Sequence, residues 1–239
     1  MDANNLQIFS EFLGTLILVL LGDGVVAAVS LNKSKAQGAG WVAVTLGWGA
    51  AVTMAIYVSG FMGPAHLNPA VTLGLAITGN FSWGLVVPFM IAQVLGGIVG
   101  AILVWITYLP HFAATEDETA ILGTFATGPA IRDYKSNVVT EAIGTFVLVF
   151  ALLAFGQNAF ADGFNPVVVG LLILALGLSL GGPTGYAINP ARDLGPRIAH
   201  QILPIANKGG SDWSYSWVPI VGPLVGGALA AGLWMMIPL

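Results

Sequence analysis

His66-Leu67-Asn68-Pro69-Ala70-Val71-Thr72 and Tyr186-Ala187-Ile188-Asn189-Pro190-Ala191-Arg192-Asp193 carry the same Asn-Pro-Ala triplet, and each interrupts an apolar stretch midway through its half of the chain. Asn is a favoured helix N-cap and Pro is tolerated at the first helical position. Pro69-Ala70 and Pro190-Ala191 therefore read as two helix starts capped by Asn68 and Asn189. A helix start presents free N–H groups and the positive end of the dipole. Inside a bilayer no lipid atom can satisfy them, so both starts must line a watery path.

The bilayer is implied by composition. Of 239 residues 56% are hydrophobic and 8% charged, against roughly 25% charged in a soluble domain, and the mean hydropathy is +0.87. Apolar runs at about 6–29, 40–61, 83–109, 138–156, 165–182 and 217–237 approach the ~20 residues that cross a bilayer. Six spans put both termini on one side. Asp2 is the only charge before Glu11, so the first run reads as a retained span rather than a cleaved leader. Cysteine is absent, which excludes disulfides and thiolate metal sites, and no metal or cofactor is expected. Seven Lys plus Arg without a basic cluster give nucleic-acid binding no support.

Shifting the chain by 130 residues aligns Glu11-Phe12-Leu13-Gly14-Thr15 with Glu141-Ala142-Ile143-Gly144-Thr145, and Leu95 through Ala101 with Val225 through Ala231. The chain is an internal duplication. With three spans per half, the second copy enters the membrane from the opposite face, the inverted-repeat plan that places a site near the midplane. The half-helices at about 69–78 and 190–200 each measure only ~15 Å; meeting start to start, they cover ~30 Å as a seventh, discontinuous span. The fold class is thus all-α integral membrane, with six transmembrane helices and two re-entrant half-helices. One channel domain spans 1–239: repeat one at about 6–109, a connecting loop at about 110–136, repeat two at about 137–239. Glycines at Gly96-x-x-x-Gly100 and Gly222-x-x-x-Gly226 read as helix-packing positions.

The doubled Asn-Pro-Ala, the two Glu-x-x-Gly-Thr starts and Asn-Pro-Ala-Arg-Asp resemble the aquaporin (major intrinsic protein) family. Asp193 directly after Arg192, and Gly123-Thr124-Phe125-Ala126-Thr127 in the central loop, resemble its glycerol-facilitator, or aquaglyceroporin, branch. The resemblance runs from the first span to the last. It implies a pore in each subunit of a homotetramer in a bacterial plasma membrane, with cytoplasmic termini. Loop charges alone point the other way: Lys33, Lys35, Arg132, Lys135 and Lys208 lie opposite the termini, which the positive-inside rule would place in the cytoplasm.

Each candidate residue has a plainer alternative. Asn68 and Asn189 cap with the side-chain oxygen, which leaves the amide NH₂ as a midplane donor into the pore; otherwise they are ordinary turns. Arg192, a permanent charge in the first turn of a half-helix, is costly at membrane depth. The resemblance makes it the cation of the selectivity ring, and the alternative is an ion pair with adjacent Asp193, poorly aligned because helical neighbours diverge by about 100°. The other ring positions that carry over are Trp48, Gly177 and Tyr186. Trp48 could instead belong to an interfacial belt and Gly177 to helix packing. Tyr186 stands where glycerol channels usually carry Phe, so its hydroxyl adds polarity to the ring. Glu11 and Glu141, equivalent by repeat, suit bracing of the two irregular loops, or alternatively proton transport. His66 fixes the loop before Asn68, and its carbonyl is implied to face the pore. Asp23 is an intramembrane acid without an assignable partner.

The resulting expectation is a passive channel for glycerol and other small neutral solutes with water, excluding protons and ions. Urea, dihydroxyacetone, hydrogen peroxide and undissociated lactic acid are similar in cross-section. The alternative is a proton-coupled secondary transporter built on the same inverted repeat. No nucleophile, base and orienting group fall in register, so an enzyme is not expected.

Overall fold

The computed structural model describes residues 2–238 and is all-helical over them. In chain order the helices are α1 (Ala3–Ser30), α2 (Gly40–Ser59), α3 (Pro69–Ile77), α4 (Trp83–Thr107), α5 (Leu109–Ala114), α6 (Glu118–Phe125), α7 (Tyr134–Phe155), α8 (Asn165–Leu180), α9 (Pro190–Ile202) and α10 (Val218–Trp234). α1, α2, α4 and α7 are long and apolar enough to cross a membrane. Polarity is arranged for a lipid solvent: Leu21, Val87, Ile91, Leu171 and Leu229 are exposed, whereas Glu11, Asp23, Gln93 and Glu141 are buried.

The two halves pack alike and interlock. α1 lies against α4 as α7 lies against α10, while the half-helix α9 packs on α4 of the first half and α3 on α10 of the second. Glycine permits the interlock. A Cβ on Gly97 would lie 2.9 Å from the Ala191 carbonyl oxygen, and one on Gly227 would lie 2.9 Å from the Ala70 carbonyl oxygen. Each half-helix thus presses its first turn onto a glycine of the opposite half. Gly100 of α4 and Gly222 of α10 serve the parallel contacts, a Cβ there falling 2.6 Å from Leu16 O and 2.9 Å from Val138 O. Such close backbone approach supplies packing where lipid removes the hydrophobic drive.

Three features differ from the sequence expectation. α8 and α10 contain 16 and 17 residues, shorter than the apolar runs around them. Pro at the start of each and Gly181 after α8 set these bounds, and hydrogen-bonded turns carry the chain on to Ile237. The half-helices are unequal, with 9 and 13 residues. The connecting segment, expected as loop, holds α5 and α6. Asp117 caps α6 by accepting from the Thr119 and Ala120 N–H groups, so Glu116-Asp117-Glu118 begins a helix rather than simply solvating a loop. α6 delivers Phe125 and Thr127 to the molecular interior.

Candidate functional site

Asn68 and Asn189 cap the half-helices as their sequence predicts: Asn68 Oδ1 accepts from Ala70 N at 2.8 Å, and Asn189 Oδ1 accepts from Ala191 N at 3.0 Å and Arg192 N at 3.2 Å. Their amide groups are not wholly free. Asn68 Nδ2 donates to Ile188 O at 2.8 Å and Asn189 Nδ2 to Leu67 O at 2.7 Å. One hydrogen of each NH₂ stitches the two loops together, and one remains for a passing acceptor.

The loops before the caps have matching backbone geometry. Ala65 and Leu67 have φ of 51° and 52°, and Tyr186 and Ile188 have φ of 39° and 41°, at three and one residues before each Asn. Non-glycine residues in this region are strained and persist only where the surroundings hold them. Glu11 and Glu141 do so. Glu11 accepts from His66 N and Leu67 N, both at 2.7 Å. Glu141 accepts from Ala187 N at 3.0 Å and Ile188 N at 2.8 Å. With their N–H groups turned to the carboxylates, the loops leave the carbonyls of Ala65, His66, Tyr186 and Ala187 without a protein donor among the described residues.

Those four residues line a cavity of about 200 Å³ together with both Asn caps. Leu18, Val52, Ile56, Val71, Leu148 and Ile173 also line it. Trp48, Tyr186 and Arg192 share this lining, and Arg192 is its one charged residue among the described residues. Glu11 and Glu141 lie behind it. The cavity therefore offers fixed donors and acceptors together with hydrocarbon.

Arg192 is 6% exposed. Its guanidinium carbon sits 4.1 Å from the centre of the Trp48 ring, and Nη1 donates to Phe125 O at 3.3 Å and Asp23 Oδ1 at 3.4 Å. The adjacent Asp193 instead pairs with Arg197, one turn on, at 2.8 Å. Arg197 also donates to Thr127 O at 3.0 Å and Ser211 O at 2.8 Å, while Asp193 Oδ2 accepts from Thr127 N and Oγ1. The connecting segment and the loop after α9 are bolted to the second half-helix by these bonds. Sequence reading left Asp23 unpaired and missed Arg197. The i,i+4 spacing of Asp193 and Arg197 was the available signal.

Gly177 lies directly against the Tyr186 ring. A Cβ there would lie 2.6 Å from Tyr186 Cζ, 2.8 Å from its hydroxyl and 2.7 Å from Thr45 Cγ2. The Tyr186 hydroxyl is buried there without a hydrogen-bond partner among the described residues. The ring therefore presents its aromatic body to the cavity and tucks its polar tip away, which removes the added polarity expected of Tyr. Trp41 steadies this arrangement, meeting Tyr186 edge to face at 5.7 Å and donating from Nε1 to Gly177 O at 2.9 Å.

His66 is held as firmly. Thr72 Oγ1 donates to Asn68 O and accepts from Gln93 Nε2, so its 3.1 Å contact with His66 Nδ1 requires the ring to donate from that nitrogen. Phe81 packs edge to face on the imidazole at 4.6 Å.

A family model described as Major intrinsic protein matches residues 3–234. The chain is 68% identical over 237 residues to Glycerol uptake facilitator protein 3 of Lactiplantibacillus plantarum, covering 99% of each sequence. It is 57% identical over 224 residues to the Glycerol uptake facilitator protein of Streptococcus pneumoniae, covering 94% of this chain and 96% of that one. The X-ray structure of the aquaglyceroporin from Plasmodium falciparum superposes with a TM-score of 0.87 at 31% identity, covering 98% of this chain and 96% of that one. Matched by the family model over nearly its whole length, the chain belongs to the major intrinsic protein family and is a multi-pass integral membrane protein.

Proposed function

We propose that the protein is a passive channel for glycerol and other small neutral solutes, with water as co-permeant. The observation that carries this reading is the mixed lining of the cavity, which brings both Asn caps, the unpaired loop carbonyls and Arg192 together with aliphatic side chains and contains no carboxylate among the described residues. A polyol has one hydroxyl edge and one carbon edge. Its hydroxyls can accept from Arg192 and the cap amides and donate to the carbonyls of residues 65, 66, 186 and 187, while its carbons pass the aliphatic residues and the faces of Trp48 and Tyr186. The names of the relatives, at 57% and 68% identity, support glycerol as the solute.

Trp48, Gly177, Tyr186 and Arg192 form the selectivity ring in this reading, with Gly177 leaving room for the Tyr186 ring. The opposed positive helix ends at Asn68 and Asn189 raise the energy of a cation between them. One channel domain with two inverted repeats, assembled as a homotetramer in a bacterial plasma membrane with cytoplasmic termini, follows from the family resemblance. Urea, dihydroxyacetone, hydrogen peroxide and undissociated lactic acid meet the same size and polarity demands.

Light scattering from proteoliposomes tests the proposal. Glycerol should equilibrate downhill with little saturation and without response to membrane potential or a proton gradient. Uphill accumulation driven by an imposed proton gradient would replace it with the coupled-transporter reading.

A further inference from the structure

Asp23 is fully buried on α1, yet only one of its oxygens has a partner. Oδ1 meets Arg192 Nη1 at 3.4 Å, and Oδ2 has none among the described residues. Asp23 does not line the cavity, whereas Arg192 does. Its neighbour Gly22 has no side chain, and the Trp48 ring packs into that space. Arg192 is thereby held between Trp48 and Asp23. The other interior carboxylate near this point, Asp193, is occupied by Arg197 through two hydrogen bonds.

An isolated guanidinium beside an aqueous path repels cations, and by the same field it attracts anions. A carboxylate behind it changes the far field from that of a single charge to that of a short dipole, which gives a passing anion far less. A hydrogen bond alone does not account for a charged group there, because a neutral acceptor would meet Arg192 Nη1 equally well without burying a second charge. We infer that Asp23 is a specificity-determining residue that balances the charge of Arg192, so that the buried pair, rather than the guanidinium alone, makes the pore reject small anions. Asp23 acts through Arg192 and touches no solute. The inference rests on the proposal that this cavity is the conducting path.

Asp23→Asn separates charge from position. Nitrate is a suitable probe because it stays ionised near neutral pH. Its efflux from valinomycin-treated proteoliposomes loaded with potassium nitrate, where potassium leaves with it and keeps charge balanced, is compared with glycerol flux in the same preparation. The nitrate-to-glycerol ratio should rise roughly tenfold in Asp23→Asn, and the same substitution made in an Arg192→Val background should leave the ratio where Arg192→Val alone puts it. An unchanged ratio in Asp23→Asn, or an equal rise without Arg192, overturns the inference. A merely structural role would lower glycerol and water flux together without admitting nitrate. If the Asn variant fails to insert, Asp23→Ser, equally neutral and smaller, is read by the same ratio: a rise over the parent supports the assignment and an unchanged ratio overturns it. Absence of glycerol flux in the parent protein would instead defeat the channel reading on which the inference stands.

Discussion

Asn68 and Asn189 each cap their own half-helix with the side-chain oxygen and donate from the same amide to the carbonyl just before the other's cap. Each residue thereby orders two things at once, the start of one helix and the approach to the other. The pair is the point at which the two halves of the chain become one structure.

Asn68→Asp keeps an oxygen for the Ala70 N–H and loses the donor to Ile188 O, leaving two acceptors face to face. Thermal unfolding in detergent should show a loss of about 1–3 kcal/mol, with reduced glycerol flux in liposomes. Parental stability would mean that the crossed hydrogen bonds do not hold the loops.

Gly177→His should press Tyr186 into the cavity, because the imidazole needs the space now taken by the Tyr186 ring. Glycerol flux should fall much more than water flux, since a single file of water needs less cross-section than a three-carbon chain. An assembled variant with an unchanged ratio of the two would remove Gly177 from any part in selectivity.

Tyr186→Phe deletes a hydroxyl that is buried and unpaired. Stability should be equal or higher, by up to about 1–3 kcal/mol, and the glycerol-to-water ratio should stay at the parental value. A marked change in that ratio would show that the hydroxyl meets the solute.

Arg197→Ala leaves the Asp193 carboxylate buried without its partner and frees the carbonyls of Thr127 and Ser211. Removing one member of such a pair costs about 3–5 kcal/mol. The melting temperature should fall steeply, whereas Arg197→Lys, which retains the charge, should recover part of the loss.

Asp212 reports on the surface latch between the connecting segment and the loop after α9. Partial burial opposes its charge, but hydrogen bonds from Arg132 and Ser214, and the guanidiniums of Arg132 and Arg197, outweigh that and hold its carboxyl below the usual range. A depressed carboxyl contributes stability above its unfolded value of about 3.9 and loses it as pH falls through the folded value. Asp212→Asn, which tolerates the φ of 47° found here, should therefore melt below the parent at pH 6 by no more than about 1 kcal/mol. At pH 3 that gap should narrow, and a gap independent of pH would assign the effect to packing.

Much of this arrangement was legible in the residues themselves. Apolar runs reveal membrane helices because lipid enforces one polarity along a whole span. Asn-Pro-Ala reveals a helix start because capping is decided within four residues. The repeat of Glu11 at Glu141 pointed to equivalent carboxylates, and both accept from the loop before the cap in their own half. Contacts between distant segments left no comparable mark. Asp23 and Arg192 are far apart in sequence, and no local rule links an acid on α1 to a base on α9.

What the sequence by itself determined is therefore the membrane setting, the duplication, the two capped half-helices and the residue types available to the cavity, all consequences of short-range geometry or solvent. The tertiary structure alone decided which carboxylate meets which guanidinium, that each cap amide reaches across to the opposite loop, and that the Tyr186 ring packs against Gly177. Those outcomes depend on how closely helices approach. Glycines such as Gly97, Gly227 and Gly177 permit that approach without naming the partner that fills the space they leave.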